Sequence, residues 1–301
     1  MFNVVITGGS GLIGMQLAQL LIDNGYNVTI LTRGNRKNSN TIKCSFWDIE
    51  NQLIDLNVIT KADYIIHLAG EQIAEKRWTK KQQQKILRSR VEPTAFLFEV
   101  LSNHKNQLKA FISASGIGYY GAITSDVVFT EEYLHQSDFL GETCKSWEDS
   151  VDKFNEIGVR TVKLRTGIVL SKNGGALPKM MVPFKYGFGS ALGSGNQFMP
   201  WIHIEDLCAM YLKAVQDTNM YGSYNAVVSD DVTNSVFSKA LAKTLNKKIL
   251  LPNIPGFVLK VVLGKMAVLL LKGSRVSNKK IKDAGFSFRY ENIEQALLTL
   301  I

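Results

Sequence analysis

The chain has 301 residues, 46% of them hydrophobic, with 35 Lys and Arg against 26 Asp and Glu for a formal charge of +9. That length suits one large domain plus a smaller lobe, and the composition excludes global disorder. Three scattered cysteines, Cys44, Cys144 and Cys208, form no CxxC pair, which argues against a disulfide framework and a zinc site and favours reduced cytoplasmic thiols.

The first elements alternate. Phe2–Thr7 reads as a strand and runs straight into Gly8, Gly9, Ser10 and Gly11, so no signal peptide is expected. Leu12–Asn24 carries leucines at helical spacing and is closed by Gly25, and Asn27–Thr32 is a second strand. This βαβ unit predicts an α/β fold of Rossmann type, a doubly wound parallel sheet. Further strands are expected at Tyr64–Leu68, Ala110–Ser113, Val159–Arg165 and Ser223–Val228, with helices at Thr79–Ser102, Asp138–Glu156 and Ile204–Gln216. The glycines and prolines of 172–200 predict a loop-rich wall of a cleft. The expected boundaries are a Rossmann domain over 1–228, with a cleft-building insertion at about 171–200, and a C-terminal α/β substrate lobe over 229–301. In that lobe Phe257–Leu271 reads as one buried or amphipathic helix. It is too short to span a bilayer, which takes about 20 apolar residues, and no membrane role is expected.

The turn Gly8-Gly-Ser-Gly11-Leu-Ile-Gly14 follows a strand and opens a helix. Gly8 permits the tight turn, Gly11 lets backbone approach a pyrophosphate, and Gly14 allows close helix packing. The helix N-terminus offers N–H groups and partial positive charge to phosphates. A nicotinamide dinucleotide is the implied ligand. Thr32-Arg33 ends the second strand where sites for the unphosphorylated dinucleotide usually place a carboxylate, so NADP is favoured; the alternative is a solvated arginine. Trp47-Asp48 carries either an adenine-facing acid or a turn aspartate. Leu68-Ala69-Gly70 ends a strand in small residues beside the dinucleotide, and His67 is expected to face the core. From Lys76 to Arg90 seven basic residues occur without an acid, a solvated face or a phosphate-facing wall. With one aromatic among them, Trp78, nucleic-acid binding is not expected.

With these residues the chain resembles the extended, atypical short-chain dehydrogenase/reductase superfamily of NAD-dependent epimerase/dehydratase type. More narrowly, it is similar to the nucleoside-diphosphate-sugar-epimerase-like family that ends in a domain of unknown function. The resemblance is carried along nearly the whole chain. It rests on Gly8 to Gly14, Leu68-Ala-Gly-Glu71, Arg77-Trp78, Ser89-Arg90, Ser113-Ala-Ser115-Gly-Ile-Gly-Tyr-Tyr120, Phe139-Leu140, Trp147-Glu148, Arg165-Thr-Gly-Ile-Val-Leu170, Gly174-Gly-Ala176, Gly193-Ser-Gly195, Pro200-Trp-Ile-His-Ile-Glu-Asp-Leu207, Leu263-Gly-Lys-Met266 and Gly285-Phe-Ser-Phe288.

The resemblance implies an NADP site built from Gly8, Ser10, Gly11, Leu12, Ile13, Thr32, Arg33, Leu68, Ala69, Gly70, Lys85, Arg90 and Val169, with a substrate between the Rossmann domain and the C-terminal lobe. It also implies hydride transfer with a tyrosine acid/base, a lysine four residues later and a polarising hydroxyl. The chain departs from that pattern: Leu140 and Cys144 stand near the expected tyrosine and lysine, and Lys145 is one residue out of register. Ser113, Ser115, Tyr119 and Tyr120, expected on the turn leaving the sheet, are the candidate catalytic hydroxyls; the two tyrosines alternatively just pack that turn. The expected function is an NADP-dependent, epimerase-like oxidoreductase on a small carbonyl or nucleotide-linked substrate. The alternatives are a catalytically weak NADP-binding protein that reports redox state and, from the charge alone, a binder of anionic surfaces. No metal is expected, and a homodimer is the assembly considered.

Overall fold

In the computed structural model, which describes residues 1–34, 42–228 and 231–301, the central strands are buried on both faces. Their apolar residues therefore run continuously, as parallel strands between helices require. The strands are β1 (Asn3–Thr7), β2 (Asn27–Thr32), β3 (Lys43–Asp48), β4 (Leu53–Ile54), β5 (Tyr64–His67), β6 (Ala110–Gly116), β7 (Val128–Phe129), β8 (Arg160–Thr166), β9 (Ile168–Leu170), β10 (Trp201–His203), β11 (Gly222–Ala226) and β12 (Arg275–Val276). Eight form one sheet in the order β11-β8-β6-β5-β1-β2-β3-β4. All neighbours in it are parallel except β3 and β4. Two parallel pairs, β9 with β10 and β7 with β12, lie outside it.

The helices are α1 (Leu12–Asp23), α2 (Leu56–Thr60), α3 (Lys80–Asn103), α4 (Phe139–Asp152), α5 (Ala176–Lys185), α6 (Ile204–Gln216), α7 (Asn234–Thr244), α8 (Gly256–Leu263), α9 (Val268–Leu271), α10 (Lys279–Asp283) and α11 (Ile293–Leu300). Strand periodicity sorts the core into two layers. Val4, Ile6, Ile66 and Ile112 pack with Leu17 and Leu21 of α1 and Leu207 and Tyr211 of α6. Val5, Ile65 and Phe111 face the other way, onto Leu97 and Leu101 of α3 and Trp147 and Val151 of α4. Each fully buried Leu or Ile contributes about 1.5–3 kcal/mol by leaving water. Ala296 and Leu297 of α11 join the first layer, so the C-terminal residues complete the main core.

Several expectations are corrected. The 172–200 stretch is not wholly loop: it holds α5. Pro178 falls in the first turn, where its missing N–H has no intrahelical partner to lose, and Pro183 near the end, which the helix passes by two residues. Phe257–Leu271 is not one helix, because Gly264 (φ +61°) breaks it into α8, a 3-10 turn and α9, and no residue of α8 is buried. Strand β6 continues to Gly116, which puts Ser113 and Ser115 in the sheet, paired in register with His67 and Arg165, and not on the turn after it. Strands β3, β4, β7, β9, β10 and β12 have no counterpart among the expected strands. The first helix closes as expected: the Gly25 N–H donates to the Ile22 carbonyl (2.9 Å) from a left-handed conformation.

Candidate functional site

Connections from β1 lead through α1 to β2 on one side, while β5 and β6 extend the sheet on the other. The carboxyl ends of β1 and β5 thus flank the point where strand order reverses, where open α/β sheets bind ligands. Gly8 turns with φ +66°, and a Cβ there would stand 2.7 Å from the Leu68 carbonyl carbon and 2.8 Å from the Ala69 nitrogen. Gly14 is equally confined, since its Cβ would meet Gly9 Cα at 2.5 Å. Gly11 differs. It is the N-cap of α1 in extended backbone, and its Cβ would meet only the Gly8 carbonyl oxygen at 3.2 Å. No side chain caps α1 and its first turn carries no acid, which leaves amide donors and the positive end of the helix dipole for an anion. Ser10 is exposed, and Leu12 and Ile13 are half-buried.

Other predicted residues converge here. A Cβ on Gly175 would lie 3.3 Å from Leu12 Cδ2 and 3.9 Å from the Val169 carbonyl oxygen, so the loop after β9 closes on the glycine turn. The exit from β5 is pinned to α3: the Glu71 N–H donates to Ser89 Oγ (2.9 Å), and Arg90 Nη2 donates to the Glu71 carbonyl (3.1 Å). Lys85 pairs with the Glu71 carboxylate at 3.0 Å. Arg90 lies over the Trp147 ring, 5.1 Å from its centroid, and a Cβ on Gly70 would meet its Cζ at 3.3 Å. Beneath, His67 is fully buried, as expected of a core residue, with Nδ1 2.7 Å from Thr7 Oγ1. Burial lowers its pKa to about 3, so it is neutral.

At the end of β2, Arg33 is exposed and Thr32 half-buried. Asp48 proves to be a turn aspartate. It accepts from the backbone N–H groups of Glu50 and Asn51 and from the Asn51 side chain, whose bond is the main cause of its lowered pKa.

The four candidate hydroxyls lie along the end of β6. Ser113 is fully buried and donates to the Ala114 carbonyl (2.8 Å); Ser115 donates to Glu148 Oε1 (2.7 Å). Tyr120 donates to Asn225 Oδ1 (2.8 Å) and accepts from Arg165 Nη1 (2.9 Å). Burial pushes its pKa up to about 12, although Arg165 opposes this. Tyr119 lays its ring under Arg165, 3.5 Å from Cζ to centroid, and its hydroxyl has no hydrogen-bond partner among the described residues. Leu140 and Cys144, near the family's tyrosine and lysine positions, are both buried. Burial pushes the Cys144 thiol up to about 12, so it is no thiolate at neutral pH. Lys145 pairs with Asp149.

Glu148, Arg165 and Asn225 tie this cluster together, and none was assigned a role from sequence. Burial alone would raise the Glu148 pKa; hydrogen bonds and charge from Arg165 hold it below the ordinary value. The available signal was the strand Arg160–Thr166, whose Lys163 and Arg165 interrupt an inward apolar pattern. A charge inside a sheet needs a buried partner.

These features define an oxidoreductase-like, dinucleotide-binding Rossmann protein. The chain belongs to the NAD dependent epimerase/dehydratase family, whose model matches residues 4–227, and residues 254–300 match a domain of unknown function, DUF1731. It is 33% identical over 299 residues to epimerase family protein YfhF of Bacillus subtilis, covering 99% of this chain and 98% of that protein. It is 34% identical over 309 residues to epimerase family protein SSP1921 of Staphylococcus saprophyticus, covering both in full. Among solved structures, human epimerase family protein SDR39U1 (isoform2) with NADPH is similar at a TM-score of 0.86 and 29% identity, covering 99% of each chain. The nucleoside-diphosphate sugar epimerase from Corynebacterium glutamicum is similar at a TM-score of 0.80 and 30% identity, covering 99% of this chain and 58% of that one.

Proposed function

We propose that this chain binds NADPH across the ends of β1, β2 and β5 and acts as an oxidoreductase on a small carbonyl or nucleotide-linked substrate. The substrate is held between the Rossmann domain (1–228) and the C-terminal lobe (229–301), in a cytoplasmic protein. The observation that carries the reading is the Gly8 turn seated on the Leu68–Ala69 backbone, with the uncapped N-terminus of α1 beside it. Only a residue without a side chain leaves pyrophosphate room at Gly11. Ser10, Leu12 and Ile13 complete the phosphate turn. Thr32 and Arg33 receive the adenosine ribose and its 2′-phosphate. Leu68, Ala69, Gly70 and Val169 flank the dinucleotide, and Lys85 and Arg90 supply positive charge at the exit of β5. When bound, the nicotinamide supplies hydride transfer at its C4. That the human relative was solved with NADPH supports the choice of nucleotide.

A second reading, a catalytically weak protein that reports redox state through bound NADPH, is favoured by one observation. The hydroxyls of Ser113, Ser115 and Tyr120 all bond within the interior. Fluorescence titration tests the shared premise. NADPH is expected to bind at least about tenfold more tightly than NADH, the worth of one good charge-assisted contact. Arg33→Asp should remove that preference. Tighter binding of NADH by the wild type defeats the assignment. Consumption of NADPH with a carbonyl compound, a quinone or a nucleotide sugar separates the two readings.

A further inference from the structure

We infer that α8 and the segment leading into it form a docking surface for an anionic phospholipid bilayer, on which the protein lies without crossing it. No helix among the described residues is long and apolar enough to cross a membrane. Helix α8 is apolar yet buries none of its residues. Phe257 is 69% exposed, Val261 74% and Val262 62%, and Leu250 upstream is 78% exposed. Phe257 and Val261, four residues apart, lie on one side of the helix, and Val262 carries the exposed surface about 100° further round. Contiguous exposed apolar surface of this kind marks an interaction site.

The surface is held outward by its other side. Arg77 Nη2 donates to the Val261 carbonyl (2.7 Å), and Met266 in the following 3-10 turn packs with Trp78 and Leu140. The apolar face therefore has no inward route for burial without undoing these contacts.

Charge identifies the occupant. Between Asp231 and Asp283 the sequence holds eleven Lys and Arg and no Asp or Glu, while the whole chain carries +9. The basic excess is thus concentrated in the stretch that contains the apolar face. Lys247, Lys248, Lys260, Lys265 and Lys272 are all exposed, and none forms an ion pair among the described residues. A second copy docking across a twofold axis would press these lysines against their own kind. A nucleic acid would meet the lysines but strand the aliphatic side chains, with only Phe257 to stack on a base. An anionic bilayer takes both: apolar side chains enter the headgroup boundary while lysines reach phosphate from the rim.

Vesicle flotation with the full chain tests this. Vesicles of phosphatidylcholine alone are compared with vesicles that also contain phosphatidylglycerol. Binding is expected only to the latter, at least about tenfold weaker at 0.5 M than at 0.05 M salt, because screening shortens the reach of the lysines. Two double variants, Lys260→Glu with Lys265→Glu and Phe257→Ser with Val261→Ser, should each abolish flotation. Their melting temperature and circular dichroism should stay those of the wild type, since these side chains are exposed. Absence of flotation, equal flotation with both vesicle types, or flotation that survives both variants overturns the inference. So does a dimer that the serine variant dissolves while lipid binding is never seen.

Discussion

Arg165 holds Glu148 with two parallel bonds, Nε to Oε1 and Nη2 to Oε2, each 2.8 Å. Both side chains are almost completely buried, and the pair joins the carboxyl end of β8 to α4. Ser115 and Ser223 donate to the same carboxylate (2.7 and 3.0 Å), so its lone pairs are well satisfied. Removing one partner of such a pair leaves a buried charge without compensation. Glu148→Ala is therefore expected to cost about 3–5 kcal/mol of stability by urea unfolding. An exposed pair such as Lys243–Glu294, broken by Lys243→Ala, should cost less than about 1 kcal/mol. Equal effects would contradict the burial argument.

The neutral, buried His67 makes the fold acid-sensitive. Its folded pKa, about 3, lies below the unfolded value near 6.5. Above 6.5 neither state is protonated there. Between 6.5 and 3 only the unfolded state takes the proton, so stability falls as pH falls. From pH 6.5 to 5 the loss from this group is about 2 kcal/mol at most. His67→Gln should flatten the urea midpoint over that interval, whatever it costs at pH 7. A variant that declines as steeply as the wild type would remove His67 as the cause. Glu148 has the same sign at lower pH: its contribution is present above its unfolded pKa, about 4.3, and disappears as pH falls through its depressed folded value.

Two glycines of one turn should fail differently. Gly8→Ala meets both a left-handed backbone and a Cβ 2.7 Å from the Leu68 carbonyl carbon. It is expected to lose about 1–3 kcal/mol of stability along with nucleotide affinity. Gly11→Val starts from extended backbone and one close neighbour, the Gly8 oxygen. It should stay folded and lose NADPH. The check is melting temperature and titration side by side; a Gly11→Val protein that binds normally removes the close-approach argument.

How far the sequence could be read follows from the same contrast. A glycine forced by backbone shape leaves a pattern, which is why Gly8 to Gly14, α1 and β2 were legible from order and spacing alone. Apolar periodicity likewise gave α6 its bounds, Ile204–Gln216. Helix α5 was hidden because Pro178 and Pro183 imitate loop composition while occupying places a helix tolerates. Helix α8 misled in the other direction: an apolar stripe signals burial only when a partner face exists in the same chain. The Glu148–Arg165–Asn225 network joins residues from separate elements; Arg165 stands out in its strand as a charge among apolar residues, but nothing local to it points to Glu148 or Asn225 as its partners.

The two adjacent tyrosines should separate structure from chemistry. Tyr120 is 1% exposed and bridges Arg165 and Asn225. With a pKa pushed up to about 12 by burial, it stays protonated near neutral pH. Tyr120→Phe leaves Asn225 Oδ1 without that donor and Arg165 Nη1 with the Glu131 carbonyl at 3.2 Å, at a cost of about 1–3 kcal/mol. Tyr119 keeps its ring against Arg165 whether or not the hydroxyl is present, so Tyr119→Phe should change stability by less than about 0.5 kcal/mol. If a tyrosine of this turn serves as acid or base, it is Tyr119, whose hydroxyl is not held by the interior. Turnover of NADPH with carbonyl compounds, quinones and nucleotide sugars should fall at least about tenfold in Tyr119→Phe. NADPH affinity should be kept, and Tyr120→Phe should lose activity only in proportion to its folded fraction. Full turnover in Tyr119→Phe, or a specific loss in a stably folded Tyr120→Phe, reverses the assignment.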